Sequence, residues 1–479
     1  MKTNCRDQEQ NHFSKKEKVL GQFFTPKRVV DFVLDFVELN QNKKGKVADP
    51  ACGDGIFLKG LTARGYRDVV GIDIDKEMIE SIPEDIKSSA VVLNKEGLLD
   101  DLENGFDAVV GNPPFSAKYG RVKDKEILTR FEFGKNRKTQ AVEILFLERF
   151  IRLTSQDGVI GIILPYGIIS NRNLKFIRDY LFEKTQILGV VSLPRFIFNK
   201  NFSTSSKTCI LFLKKCRAEN KEIFMSIVRD LKDLREILRL YPTRKEKNSL
   251  VFWTETQDNN LSPEFYNPET KKIEEELKNS PLEIEKLKEL ITNMFLGGTE
   301  YGEKREFSAE GEPFISAKVV TNLGLDFERD RRFVSRNNRM FKKGALVRRN
   351  DLIFVRVGVG CAGRSSVVTS YDELGVVDDW SYVIRTKEAL SPYFLSFYLQ
   401  TRYGKAQVDK IKRGVGTVTI PQALLGEILI PILEDQDQFR ALYLGMKKSH
   451  KEGDTKKAKE TLCRAVRIIE KSISQKTAS

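Results

Sequence analysis

Asn112-Pro113-Pro114-Phe115 is the stretch of this sequence best suited to chemistry. It follows Phe106-Asp107-Ala108-Val109-Val110-Gly111, an apolar, β-branched run that reads as a short buried strand. A proline fixes its own φ and pushes the residue before it towards an extended backbone. Two in succession make a stiff loop at the carboxyl end of a strand, the edge at which open α/β sheets bind ligands. A nucleobase amino group is a poor nucleophile, because its lone pair is delocalised into the ring. Two acceptors close to its N–H groups would localise that pair on nitrogen, and the Asn112 side-chain oxygen and the Pro113 carbonyl are the candidates. Phe115 could stack on the base. The nitrogen could then attack a methyl sulfonium, with fixed dipoles stabilising the developing charge. This chemistry needs neither a metal nor a histidine. A proline-stiffened turn with an Asn cap is the plainer reading of the same residues.

The elements that must position this loop read as strands alternating with helices. Thr25-Pro26 reads as N-cap and first residue of a helix whose Val29, Phe32, Val33 and Phe36 share one face. The start of that helix offers N–H groups suited to a carboxylate. Val47-Ala48-Asp49 ends a strand, and Pro50-Ala51-Cys52-Gly53-Asp54-Gly55 turns into the next helix. Gly53 and Gly55 let backbone approach a ligand closely. A second strand, Val69 to Asp73, ends in a carboxylate at about the distance expected of the ribose-binding acid in a βαβ unit. A third, Ala90 to Leu93, leads to Glu96, which could meet an adenine amino group or stand in solvent. Further apolar runs at 158–165, 187–193 and 208–213 read as the remaining strands. Between the last two, the loop from Arg195 to Thr204 carries Phe198 and Phe202 with basic and polar residues, a composition suited to a flipped base. Aromatics so placed also serve as core.

Taken in this order, residues 20 to 215 resemble the N6-adenine DNA methyltransferases of restriction–modification systems, most closely the modification subunits of Type I systems. The matching motifs are Gly21-Gln22-Phe23-Phe24-Thr25-Pro26, Asp49-Pro50-Ala51-Cys52-Gly53-Asp54-Gly55 and Asn112-Pro113-Pro114-Phe115. The resemblance implies an α/β fold of the class I S-adenosylmethionine-dependent type, a Rossmann-like, mostly parallel sheet of seven strands. It implies S-adenosylmethionine as methyl donor. Gln22, Phe24, Thr25 and Pro26 would form the first cofactor motif, with Thr25 at the methionine carboxylate. Asp49, Pro50, Ala51, Gly53 and Gly55 would surround the methionine part. Asp73 would hold the ribose hydroxyls, with Ile74 against the cofactor adenine and Glu96 at its amino group. Asn112, Pro113, Pro114 and Phe115 would be catalytic, and Phe198 or Phe202 would give a second aromatic against the target base. The family more often has Asp where this chain has Glu96.

After Lys215 the composition changes. Lys221 to Leu240 reads as a charged helix, and Lys245 to Phe265 as a connection. From Pro281 to about Leu433 the chain reads as short strands and turns rich in Gly and basic residues. Arg331, Arg332, Arg336, Arg348 and Arg349, with Lys412 and Arg413, are the candidates for phosphate contact; a solvated face is the alternative. This half resembles one target-recognition unit of a Type I specificity subunit. The matching landmarks are a Leu-rich helix around Leu287, Asn350-Asp351-Leu352-Ile353, the helix from Ser391, the Gly414-Val415-Gly416-Thr417 turn and Ile428 to Pro431. The expected domains are therefore a catalytic domain over 1–240, a connector and α+β DNA target-recognition domain over 241–433, and a helical segment over 434–479. Ala458, Leu462, Val466 and Ile469 form an apolar stripe there, suited to a partner helix or to packing back on the domain. The family reading adds a homodimer paired through these helices and a separate restriction endonuclease subunit.

The bulk numbers bound these expectations. A chain of 479 residues makes two or three domains. The balance of 81 basic against 67 acidic residues gives +14, and the pI is near 9.2, which points to a polyanion such as double-stranded DNA. Six scattered cysteines without a C-x-x-C pair suggest a reducing, cytoplasmic setting with no disulfide framework and no zinc, and the family resemblance implies a bacterium or archaeon. Two histidines, His12 and His450, argue against a histidine metal centre or a Ser-His-Asp triad. The first 18 residues are polar and no apolar run reaches membrane-spanning length. The expected activity is methylation of adenine N6 at a specific site in duplex DNA. Alternatives are a cytosine-N4 or RNA enzyme, a protein-glutamine methylase, and a DNA-binding specificity subunit that needs partners for activity.

Overall fold

The structure, a computed structural model, describes residues 25–474 apart from 42–43, 100–101, 103–104, 117–119, 196, 198–206, 218–220, 258, 299–304, 343–345 and 415–416. Gln22, Phe24, Phe198 and Phe202 lie outside the described residues, as do Val415 and Gly416. The chain divides into two compact units, one running to Asn267 and one starting at Pro268.

Among the described residues, the first unit is built on one sheet of nine strands. They are β1 (Val47–Asp49), β2 (Val69–Asp73), β3 (Val91–Asn94), β4 (Phe106–Gly111), β5 (Thr154–Pro165), β6 (Gln186–Ser192), β7 (Thr208–Lys214), β8 (Ile223–Ile227) and β9 (Phe252–Thr254). Their order is β3-β2-β1-β4-β5-β7-β6-β8-β9. Strands β3, β2, β1, β4 and β5 run parallel to their neighbours, while β7 is inserted antiparallel between β5 and β6. This is the expected open, mostly parallel α/β arrangement, with one strand inserted antiparallel. Its central strands read as unbroken apolar runs because helices cover both faces. In β4, Val109 and Val110 are buried, and in β7 Cys209 to Leu213 are buried. The edge strand β3 is part-exposed.

The helix Lys27–Asn40 covers one face. It buries Val29, Phe32, Val33 and Phe36, the expected stripe, together with Val30, Leu34 and Val37. Phe36 stacks on Phe212 of β7 with ring centroids 3.8 Å apart. Its N-cap is Pro26, without a side-chain cap, so Thr25 lies one residue before the position expected of it. The sheet exceeds the expected seven strands by two. Strand β8 pairs parallel with β6, and β9 pairs antiparallel with β8. The charged helix expected over Lys221 to Leu240 is therefore confined to Leu234–Leu240. The apolar run Ile223-Phe224-Met225-Ser226 is buried on both faces, which a strand inside a covered sheet allows and a charged surface helix does not.

The second unit is α+β. Strands Ile291–Leu296, Ser381–Thr386, Leu352–Val355 and Ser365–Val367 form an antiparallel sheet in that order. Around Leu287 the chain forms a single 3-10 turn, Leu287–Glu289, in place of the expected helix. The helix from Ser391 is present as Pro392–Tyr398, and Ser391 caps it by accepting from the Phe394 N–H. Helices Asp437–Lys451 and Thr455–Ser474 follow, separated by Gly453 at φ +84°. Of the expected stripe, Ala458 and Ile469 are buried in a core shared with Leu287, Phe394 and Tyr443, and Leu462 packs against it partly buried; Val466 stays half-exposed, and Ala465 and Ile473 complete the buried face, so the helix packs back on its own unit. Among the described residues no helix is long and apolar enough to cross a membrane.

Candidate active site

Strands β1 and β4 lie side by side, and the chain leaves them in opposite directions. Their carboxyl ends form the switch point at which open α/β sheets leave a crevice. Asp49 ends β1 and Asn112 follows β4. One cavity opens there, walled by Thr25, Asp49 to Asp54, Asp73, Ile74, Glu96, Asn112 and Pro114, with Ile56, Phe57 and Met78.

Asp49 is buried, and its Oδ1 accepts from the Ala51 N–H at 3.1 Å. Its Oδ2 is buried with no hydrogen-bond partner among the described residues. Burial pushes the Asp49 carboxyl well above its ordinary pKa; the Ala51 N–H opposes this, and Asp73 and Asp54 add to it. Burial likewise raises Asp54 and Asp73. Asp73 ends β2 and accepts from the Gly53 N–H at 2.8 Å and the Asp75 N–H at 2.9 Å. Asp73 and Asp54 repel the Asp49 carboxylate across the cavity, and a bound cation would relieve that repulsion.

The backbone around them is fitted closely. Gly55 precedes the helix Ile56–Ala63 in the left-handed region, at φ 74°, where side chains are strained. A Cβ on Gly97 would meet the Pro50 carbonyl oxygen at 2.0 Å, so only glycine lets these two segments touch. Ile74 is 63% exposed although it is a large apolar side chain at the cavity wall, an arrangement suited to a flat apolar ligand. The Glu96 carboxylate accepts from the Leu98 N–H at 3.1 Å, which fixes it at the rim.

The Asn112 loop meets this cavity from the other side. Asn112 Nδ2 donates to Thr25 Oγ1 at 3.0 Å. The amide is planar, so anchoring its nitrogen turns its oxygen away from Thr25. Thr25 thus acts on Asn112 rather than on a helix end. Pro114 faces the cavity, whereas Pro113 is buried behind it. Phe115 is only 3% exposed and belongs to the hydrophobic core. A ring so covered meets a base only after neighbouring chain has moved aside. The sequence reading missed the wall formed by Val122, Ile127, Val142 and Phe146. These follow the Asn112 loop and carry no motif. Gly97 was findable from its place beside Glu96.

In the second unit the basic residues divide into two groups. Arg332 is paired with Asp330 at 2.5 Å, and its guanidinium lies 4.2 Å from the Phe307 ring centre. Arg336 pairs with Glu312 at 2.8 Å and Lys412 with Asp409 at 2.6 Å. Arg413 donates to the Lys410 and Lys412 carbonyls. Arg331, Arg348 and Arg349 are exposed, and Arg349 lies over the Tyr371 ring at 5.2 Å.

Residues 10–275 match the family described as N-6 DNA Methylase. Among curated relatives, the Type II methyltransferase M.CvrRI of Paramecium bursaria Chlorella virus XZ-6E is 27% identical over 206 residues, covering 42% of this chain and 50% of that protein. The Type I restriction enzyme MjaIX methylase subunit of Methanocaldococcus jannaschii is 26% identical over 220 residues, covering 41% of this chain and 38% of the subunit. The chain thus spans half or less of the length of these relatives. Among solved structures, the type IIG restriction endonuclease BpuSI superposes with a TM-score of 0.50 over 93% of this chain and 66% of its own, at 14% identity, a likeness of fold. The matched span exceeds half of the 479 residues and contains both the glycine loop and Asn112: the chain belongs to the N-6 DNA methylase family.

Proposed function

We propose that this protein transfers the methyl group of S-adenosylmethionine to the exocyclic N6 amino group of an adenine flipped out of duplex DNA. The observation that carries the reading is one cavity in which the Asn112 loop faces three desolvated carboxyls, the buried Asp49 and Asp73 and the half-buried Asp54. The cofactor supplies an activated methyl on a positively charged sulfur. The residues present fit such a group: the orphaned Asp49 Oδ2 and the desolvated acids favour its positive charges. Asp73 is the acid for the ribose hydroxyls, Ile74 the apolar face for the adenine ring, and Glu96 the acceptor at its rim.

On the target side, the Asn112 side-chain oxygen and the Pro113 carbonyl accept from the two N–H groups of the base. Thr25 accepts from the Asn112 Nδ2, which turns the amide oxygen away from Thr25. Fixed acceptors act on the charge that develops on nitrogen and need no reorganisation during reaction. Phe115 stacks on the base once uncovered. Arg331, Arg348 and Arg349 of the second unit meet DNA phosphates. Two copies pairing through the C-terminal helices would use a face other than the stripe of Ala458, Ala465, Ile469 and Ile473, which the unit itself covers.

Single-molecule sequencing of genomic DNA from cells that express the chain, beside an Asn112→Ala control, tests this directly. The expected result is N6-methyladenine at one discrete motif, absent from the control. N4-methylcytosine would move the substrate to cytosine, and unmodified DNA in both would overturn the reading.

A further inference from the structure

We propose that Glu143 is a positioning residue that fixes the exit of the Asn112 loop, and that methyl transfer depends on it. This rests on the function proposed above. Glu143 lies in the first turn of the helix Val142–Leu153, among the buried Ile144, Leu145 and Phe146. It is 8% exposed. A carboxylate in such apolar surroundings is costly unless hydrogen bonds compensate it. Both of its oxygens accept from one residue: Oε2 from the Ser116 backbone N–H at 2.9 Å and Oε1 from Ser116 Oγ at 3.1 Å. Ser116 is the residue immediately after Asn112-Pro113-Pro114-Phe115.

The loop is therefore held at two points four residues apart. Thr25 takes the side chain at its entry and Glu143 takes the backbone at its exit. The prolines stiffen the segment between but do not fix its direction as a body. The helix start favours the negative charge of Glu143. Val142, its neighbour, lines the cavity, so the element that holds the loop also shapes the pocket. Small displacements of reacting groups cost large factors in rate. Glu143 does not line the cavity, so its effect falls on geometry and not on ligand contact.

The test uses the full chain with Glu143→Ala and Glu143→Gln. Three quantities are read: exchange of the Ser116 backbone amide, affinity for S-adenosylmethionine by calorimetry, and kcat for transfer of labelled methyl to unmethylated phage DNA. In Glu143→Ala, kcat is expected to fall about tenfold or more, the size of a lost charge-assisted hydrogen bond. Ser116 exchange should quicken, while cofactor affinity stays within about twofold. Glu143→Gln keeps one oxygen acceptor and should restore most of kcat. Unchanged kcat or unchanged Ser116 exchange in Glu143→Ala would overturn the proposal. So would an equal loss in both variants accompanied by lower melting temperature and weaker cofactor binding, the pattern of a general structural residue. If the unaltered chain transfers no methyl to DNA, the proposed function fails, and the clamp is then judged on exchange and cofactor affinity alone.

Discussion

At Asp49, stability and function pull in opposite directions. Its carboxyl is buried at the end of β1, and its pKa is raised well above the ordinary value by desolvation first and by Asp73 and Asp54 after it. A carboxyl whose pKa is higher folded than unfolded holds its proton more tightly in the folded chain. The empty protein therefore gains stability as pH falls from above the folded pKa towards the unfolded value of about 3.9. Asp49→Asn removes the charge and retains an oxygen for the Ala51 N–H. It should raise the melting temperature of the empty protein, by roughly 2–4 °C per kcal/mol released in a unit of this size. It should also weaken S-adenosylmethionine binding, because the positive groups of the ligand lose their counter-charge. In the unaltered chain, cofactor affinity should decline on acidification at a higher pH than an ordinary carboxylate would impose. Calorimetric scans with and without cofactor across pH check both signs. A variant that lowered the melting temperature of the empty protein would show that Asp49 is structural.

At the scale of elements, the strap after β9 does what no motif announced. Residues 261–266 fold back over the carboxyl edge of the sheet, where Leu261 N–H donates to the Ile169 carbonyl at 3.1 Å. Glu264 accepts there from Lys207, Tyr166 and, at 2.6 Å, from Ser192. Burial would raise the Glu264 carboxyl, but the Lys207 ammonium and the two hydroxyls hold it below its ordinary pKa. Its stabilising effect is thus present above the unfolded carboxylate range and is lost as pH falls through the folded value. The pair is part-exposed, at 19% and 28%, so Glu264→Ala should cost about 1–3 kcal/mol. Its denaturation midpoint should fall, and limited proteolysis near residues 255–262 should quicken. Unchanged cleavage would separate Glu264 from the strap. The sequence named the strand ends that deliver Asp49, Asp73 and Asn112, because buried apolar runs and the polar residues ending them are local signals. It missed this strap, strand β8 and the Thr25–Asn112 hydrogen bond, because each depends on residues far apart in the chain. Thr25 resembled a helix cap only because Pro26 follows it; the cap lies one residue later. Glu143 sat unnoticed in an apolar helix for the same reason.

At the scale of the molecule, a net charge of +14 predicts attraction to DNA without saying which residues carry it. The second unit sorts its candidates by what already neutralises them. Arg336 and Lys412 each sit beside a carboxylate, Glu312 and Asp409, that a phosphate would have to displace. Arg331 and Arg348 are exposed and have more to gain from a phosphate. Each cation that meets a phosphate releases a counterion, so the logarithm of affinity falls with that of salt concentration by about 0.9 per contact. Arg331→Ala with Arg348→Ala should therefore weaken binding to any duplex and reduce that slope by about 0.9 for each contact removed. Arg336→Ala should change the slope less, because the loss of its charge also frees Glu312. Fluorescence anisotropy with a labelled duplex at several salt concentrations reads both effects, and cofactor affinity of the same variants serves as the control for folding. Equal slopes in all variants would remove Arg331 and Arg348 from the interface. A larger effect from Arg336 would mean that its pairing with Glu312 is exchanged for DNA on binding, so that the charge pairs of the second unit would themselves be part of how it reads a duplex.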